Sequence, residues 1–282
     1  MSWKNMDKKD DDKEDTSFTK EEVKGWIEDG REVEASNLCI GVYGWDGTGK
    51  SGVAMDCRTE EEIEEGKEIV VIDLDDSCSS IKQKYFDSDE NIVIFQPMVF
   101  DDNGDVDSPK TLDRIDALTK YLVEEEDELD LHAVVFDGVD KFKDICGDTM
   151  QIEDLNMDPN SRVKNSWNWQ IRNRYYKNVM EKIKKLSCHR FYVTHYKEKK
   201  EPVAGELQVT GKEINWHWST DGMLFQKVEM RKEEEEDGTV KFIATVQKAK
   251  GALHLENEEY VVAEVSDETE WKGLHDFYNE VM

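Results

Sequence analysis

Basic residues are scarce in this chain relative to acids. Its 37 Lys and Arg stand against 66 Asp and Glu, a formal net charge of −29 over 282 residues. A field of that sign repels nucleic acid, so a nucleic-acid role needs either a local basic surface or a partner that carries the contact. Long apolar runs are missing too. None approaches the ~20 residues of a membrane-spanning helix, and Met1 to Lys20 is charged where a secretory signal is apolar. Both absences predict a soluble, cytoplasmic protein with no membrane partner. The five cysteines, Cys39, Cys57, Cys78, Cys146 and Cys188, are odd in number and never spaced C-x-x-C. They suggest neither a disulfide framework nor a zinc site, and they imply a reducing compartment. The six histidines show no ligand spacing, and there is no internal repeat. With 37% hydrophobic residues the chain can still bury a core, and its length suits one large α/β domain with appendages.

One stretch carries chemistry. Gly44-Trp45-Asp46-Gly47-Thr48-Gly49-Lys50-Ser51 satisfies G-x-x-x-x-G-K-[ST] at every fixed position. Its glycines permit backbone conformations that turn successive N–H groups inward around phosphate oxygens. Lys50 supplies a point charge for the phosphates, and the Ser51 hydroxyl is a Mg²⁺ ligand in such loops. The apolar run Leu38 to Tyr43 precedes the loop, and Ser51, Gly52 and the residues to Cys57 follow without a breaker. That order is strand, loop, helix, and the helix N-terminus adds its partial positive charge to the anion site.

Further strands are expected at Ile69 to Ile72, closed by Asp73-Leu74-Asp75-Asp76, and at Asn91 to Gln96. Leu131 to Phe136, closed by Asp137, has the form of a Walker B strand, whose carboxylate faces the metal from opposite Ser51. Gly138 occupies the position where many ATPases place a catalytic Glu. Helical spacing marks Thr111 to Glu126 and Trp167 to Leu186, the latter with a basic face that includes Arg172 and Arg174. Residues 141–163 read as irregular loop. Arg190 to His195 reads as a strand, and a lysine-rich loop from Tyr196 to Lys212 follows it. Two more strands, Met223 to Lys232 and Thr239 to Val246, join through Asp237-Gly238, and a strand and a helix fill Glu259 to Met282. Near the N-terminus, Thr19 and Glu22 form a capping-box pattern ahead of Val23, Trp26 and Ile27. The expected organisation is a disordered charged tail over 1–18, a short helix and linker over 19–36, a core over 37–254, and a closing strand and helix over 255–282.

Taken in order, these pieces resemble the RecA-like P-loop ATPases, most closely the compact phage and archaeal-virus members associated with recombination and single-strand annealing. The resemblance spans residues 36–254. It implies an α/β core with a mainly parallel sheet flanked by helices and C-terminal antiparallel strands. It also implies Mg²⁺-dependent ATP hydrolysis in an oligomer that acts on single-stranded DNA. By its placement Asp75 takes the role of the water-activating carboxylate, although the family has Glu there. His195, after Thr194, matches the γ-phosphate sensor. Lys248 and Lys250 match a basic pair that reaches a neighbouring subunit's nucleotide. Lys197, Lys199, Lys200 and Lys212 match a DNA-contacting loop, helped by Arg172 and Arg174, with Trp216 and Trp218 as stacking faces. A motor or switch ATPase acting on a protein partner, such as a packaging or assembly factor, is the other class the sequence allows. A nucleotide kinase is disfavoured by the lack of an arginine-bearing lid.

Overall fold

Apolar, β-branched runs bounded by polar turns become the strands of one twisted sheet. The strands are β1 (Cys39–Gly44), β2 (Glu68–Asp73), β3 (Ile92–Phe95), β4 (Leu131–Asp137), β5 (His189–Val203), β6 (Glu206–Ile214), β7 (Gln226–Glu234), β8 (Val240–Ala249), β9 (Glu259–Val265) and β10 (Thr269–Trp271). The computed structural model describes residues 37–203, 206–266 and 269–271, with 19 and 24 besides. The chain divides into two units, Met1–Ser36 and Asn37–Met282. The expected N-terminal tail and short helix, and the helix expected after Trp271, lie outside the described residues.

Side by side the order is β3-β2-β4-β5-β1-β7-β8-β9-β10. The first six are parallel, and β8, β9 and β10 add antiparallel. Alternation along each strand then feeds two cores. Ile69 and Val71 of β2 pack on one face with Val53, Ala54 and Met55 of α1 (Lys50–Met55) and with Cys78 at the start of α3 (Cys78–Tyr85), while the short α2 (Glu60–Glu64) lies between them in sequence. Val70 and Ile72 point to the other face, toward α4 (Ser108–Glu124), α5 (Val139–Thr149) and α6 (Trp169–Lys185). The period-two register makes this a sheet buried on both sides, with helices as its outer layers. Among the described residues no helix is long and apolar enough to cross a membrane.

Two expectations fail here for physical reasons. Residues 141–163 are not wholly irregular, because α5 runs from Val139 to Thr149 and continues through a wider turn to Asp154. Its buried stripe is Val139, Phe142, Ile145, Cys146 and Thr149, and Phe142 packs between Phe136 and Tyr176 at ring separations of 5.0 and 5.2 Å. Interleaved charges and Gly147 hide that spacing in the sequence. The lysine-rich segment is likewise not a loop. Beyond His195, β5 leaves the main sheet and pairs antiparallel with β6, with Lys197 opposite Glu213 and Glu198 opposite Lys212. Cross-strand opposite charges stabilise such a ribbon without the apolar alternation that advertises a strand. A short α7 (Trp218–Met223) follows it.

Buried imidazoles give the fold an acid limit. His189 and His132 meet edge to face at the start of β5 and β4, 4.8 Å between rings, and His189 Nδ1 accepts the Leu38 N–H at 3.1 Å. Burial, with the His132 charge beside it, holds His189 down at about 4. Burial also holds His217, the cap of α7, at about 4. The unfolded chain takes up these protons near pH 6.5, so the folded state has its full advantage above that value and loses it as pH falls toward 4. At half the full linkage value the loss is on the order of 3 kcal/mol for the pair. Melting at pH 7 and pH 5 checks this. His217→Asn, which keeps a capping acceptor for Ser219 N–H, should show a smaller drop than the parent. Equal drops would clear His217 of any part.

Candidate nucleotide and metal site

The carboxyl ends of the parallel strands bring the chemistry together. Gly44 ends β1 level with His195, Asp73 ends β2 level with Asp137, and Asp137 ends β4 level with Val193. The loop from Trp45 to Ser51 bounds one side of a cleft of about 660 Å³, and Asp75, Ser77, Ile81, Lys141, His195 and Tyr196 line the rest.

The loop conformation follows from its glycines and from what presses on them. Gly47 and Gly49 have φ of +68° and +80°, in the left-handed region that favours glycine. A Cβ on Gly49 would lie 2.7 Å from the Phe242 ring, and one on Gly44 would lie 2.4 Å from the Met230 carbonyl oxygen. The β7–β8 hairpin therefore clamps the loop from outside. Thr48 Oγ1 and Lys50 Nζ both donate to the Trp45 carbonyl, at 2.8 and 2.9 Å. Trp45 itself is half exposed and lies 5.5 Å from the Tyr196 ring. Gly52 is buried in α1. Lys50 is buried, and burial lowers its pKa against the opposing pull of Asp137, Asp46, Asp75 and Asp140.

The acids sort themselves by what already binds them. Asp73 closes the turn after β2: its Oδ1 accepts the Asp75 and Ser77 N–H groups at 3.2 and 3.4 Å, and its Oδ2 accepts Cys78 N–H at 3.0 Å. Asp75 projects into the cleft instead, with Lys141 Nζ 2.9 Å from its Oδ1 and His195 Nδ1 3.8 Å from its Oδ2. His195 also faces Asp140 at 3.4 Å and, through Nε2, Asp46 at 3.0 Å. The Asp140 hydrogen bond outweighs desolvation and raises the His195 pKa, so its cationic form is favoured. Asn215 braces this corner by donating to Asp140 at 3.4 Å and accepting Lys143 Nζ at 2.6 Å.

Asp137 meets the requirement for a metal ligand. It is fully buried, burial pushes its carboxyl up to about 6 against the opposing pull of Ser51, and its Oδ2 accepts the Cys78 thiol at 3.0 Å. Its Oδ1 has no hydrogen-bond partner. A buried carboxylate oxygen without a donor is costly, and a hard cation held between Ser51 and Asp137 answers that cost.

Other sequence-predicted residues lie elsewhere. Lys248 Nζ donates to the Asp221 carbonyl at 3.2 Å, and Lys250 lies over the Phe225 ring. Because β8 runs antiparallel to β7, both lysines sit at the edge where β1 begins, away from this chain's own loop. The ribbon lysines all have acid partners: Lys197 with Glu213, Lys199 with Glu201, Lys200 with Glu198 and Lys212 with Glu229. Trp216 is no open stacking face, since it packs on Tyr43 with 5.7 Å between rings. Trp218 is 68% exposed, with Lys177 over its ring at 4.7 Å. Arg172 rests over Trp169 and bonds Asn173, while Arg174 is exposed. Sequence reasoning missed Lys141 and Tyr196 as parts of the cleft. Only recognition of α5 as a helix starting right after Asp137 would have placed Lys141 there.

No curated protein matches the chain. A family model described as an AAA domain matches residues 36–218, which include the phosphate-binding loop, Asp75, Asp137 and His195. That match covers well over half of the sequence and, with the G-x-x-x-x-G-K-S loop and the parallel sheet it contains, shows that the chain belongs to the AAA domain family of P-loop ATPases.

Proposed function

We propose that this chain is a RecA-like Mg²⁺-dependent ATPase that works as an oligomer on DNA, in recombination, annealing or repair. The observation that carries the reading is Gly138. Its φ is +89°, and a Cβ there would lie 2.9 Å from Leu74 Cβ and 3.3 Å from Asp75 Oδ1. The position that other ATPases give to a catalytic Glu is closed to a side chain by its left-handed φ and by Leu74 Cβ, and the Asp75 carboxylate stands next to it. A carboxylate delivered from the strand beside the metal-binding strand is what the RecA-like arrangement implies.

In that role Asp75 orients and deprotonates the attacking water, and His195 donates to the γ-phosphate or its water. Ser51 and Asp137 would hold Mg²⁺, which would neutralise charge on the phosphates. Lys248 and Lys250, remote from this chain's own loop, would serve a neighbour's nucleotide. Nucleic acid would meet the exposed face of α6 rather than the ribbon. Among the described residues Arg174 and Lys177 have no carboxylate within ion-pair distance, Lys177 lies over the ring of Trp218, which is 68% exposed, and Trp167, just before α6, is 72% exposed. Exposed aromatic faces and cations that no carboxylate neutralises suit single strands.

The neutralised ribbon lysines and the net charge favour a second reading, an ATPase acting on a protein partner, such as a packaging or assembly factor. Turnover per subunit, measured across protein concentration with and without single-stranded DNA, separates the two. The DNA reading expects stimulation that falls steeply with salt, and Arg174→Ala/Lys177→Ala should remove most of it, while Lys199→Ala/Lys200→Ala should change it less than twofold. Oligomeric action expects turnover per subunit to drop on dilution. Absence of any DNA effect at low salt would hand the case to the protein partner.

A further inference from the structure

The carboxylate assigned to Mg²⁺ has a neighbour that magnesium chemistry does not use. Cys78 opens α3, is fully buried, and donates its thiol hydrogen to Asp137 Oδ2 at 3.0 Å. Asp73, Cys78 and Asp137 each offer a ligand atom within 4.8 Å of the other two, and among the described residues they are the one such group. Asp137 Oδ1, fully buried and unpartnered, is a second observation that points to a cation there.

Donor chemistry decides which cation. Mg²⁺ wants six oxygens at about 2.0–2.1 Å and gains little from sulfur. Thiolate selects softer ions, and two carboxylates with one thiolate supply three of the four positions of a tetrahedral site, with bonds of about 2.3 Å to sulfur and 2.0–2.2 Å to oxygen. Those bond lengths place tetrahedral ligand atoms roughly 3.5 Å apart, so the group needs to close by little more than 1 Å at most. The fourth position is left to a water or to another oxygen donor.

We propose that Asp73, Cys78 and Asp137 bind a thiophilic divalent cation of the Zn²⁺ or Cd²⁺ class in the absence of nucleotide. The proposal rests on reading Asp137 as the metal ligand of the nucleotide site. On ligation the thiol proton leaves to solvent, and the S–H···O bond gives way to a metal shared by sulfur and oxygen; the charge of the ion stabilises the thiolate that forms. Mg²⁺ arrives with ATP, whereas this ion is held by protein alone. Because both use Asp137, the soft ion excludes ordinary Mg²⁺ coordination, and the ATPase is stalled by it. The sequence conceals the site because the ligands come from two strand ends and a helix start, with no ligand spacing to read.

The test titrates the nucleotide-free full chain with Cd²⁺, followed by calorimetry and by the ultraviolet sulfur-to-metal charge-transfer band. One Cd²⁺ per chain with that band is expected, and a hundredfold excess of Mg²⁺ should not displace it. In Cys78→Ser the band should vanish and Cd²⁺ affinity fall at least tenfold, with Cys78→Ala as the second variant should serine disturb folding. The other four cysteines remain in both variants, so a band that persists in them belongs to those thiols and overturns the proposal. No band in the parent does the same. Mg-ATP binding measured alongside separates the failures: ATP bound without a Cd²⁺ band removes the soft site alone, and neither bound removes the nucleotide reading with it.

Discussion

Lys50→Ala is expected to weaken Mg-ATP binding by roughly 30-fold to several thousand-fold, the equivalent of about 2–5 kcal/mol for removing one partner of a buried charged contact. In the free protein the Lys50 charge is balanced against Asp137, Asp46, Asp75 and Asp140. Without it the cleft keeps four carboxylates against Lys141 and His195, and a polyphosphate then enters a site of its own sign. Asp137→Ala should act in the same direction by a different route, through loss of the metal ligand, and its effect should be largest when Mg²⁺ is present. Isothermal titration with ATP, with and without Mg²⁺, distinguishes these. If Lys50→Ala bound Mg-ATP as tightly as the parent, the phosphate cradle would have to lie elsewhere. Removing Mg²⁺ should cost the parent most of its affinity, because the ion offsets the acids that crowd this pocket.

The contrast between Lys50 and Lys141 shows what a sequence of this kind discloses. Lys50 is legible because a phosphate cradle imposes fixed local spacing, and the strands were legible because burial on both faces forces continuous apolar runs such as Ile69 to Ile72. Asp137 and His195 were legible for the same reason, as polar ends of such runs. Lys141 was not. It reaches Asp75 from the first turn of α5, a helix whose buried stripe is diluted by Asp140, Lys143, Asp144 and Gly147. The ribbon of β5 and β6 was read as loop because its pairing is carried by alternating Lys and Glu rather than by apolar residues. The free lysine surface that the sequence advertises is removed as well, since Lys197 meets Glu213 across the ribbon, Lys199 and Lys200 meet Glu201 and Glu198 along their own strand, and Lys212 meets Glu229 of β7. The turn held by Asp73 was equally hidden, and it explains why Asp75 and not Asp73 faces the cleft.

Asp75→Asn is expected to leave Mg-ATP affinity within about threefold and to lower turnover by roughly 10²–10⁴, the usual worth of a positioned general base. The amide fills the same volume beside Gly138, where Asp75 Oδ1 would sit 3.3 Å from a Cβ, so the fold of the turn is preserved. What it loses is the charge that Lys141 and His195 meet at 2.9 and 3.8 Å and the ability to take a proton from water. A fall in kcat at constant affinity is the signature of an interaction made only in the transition state. Asp140→Asn supplies the contrast. Asp140 bonds His195 and is held below the usual carboxylate range because that hydrogen bond and charge outweigh its burial. Its loss loosens His195 and lowers the pKa of the imidazole, so turnover should drop by a smaller factor and its pH dependence should move to lower pH. Single-turnover rates of both variants, measured from pH 5.5 to 8.5, decide between them. Full turnover in Asp75→Asn with a dead Asp140→Asn would transfer the base to α5.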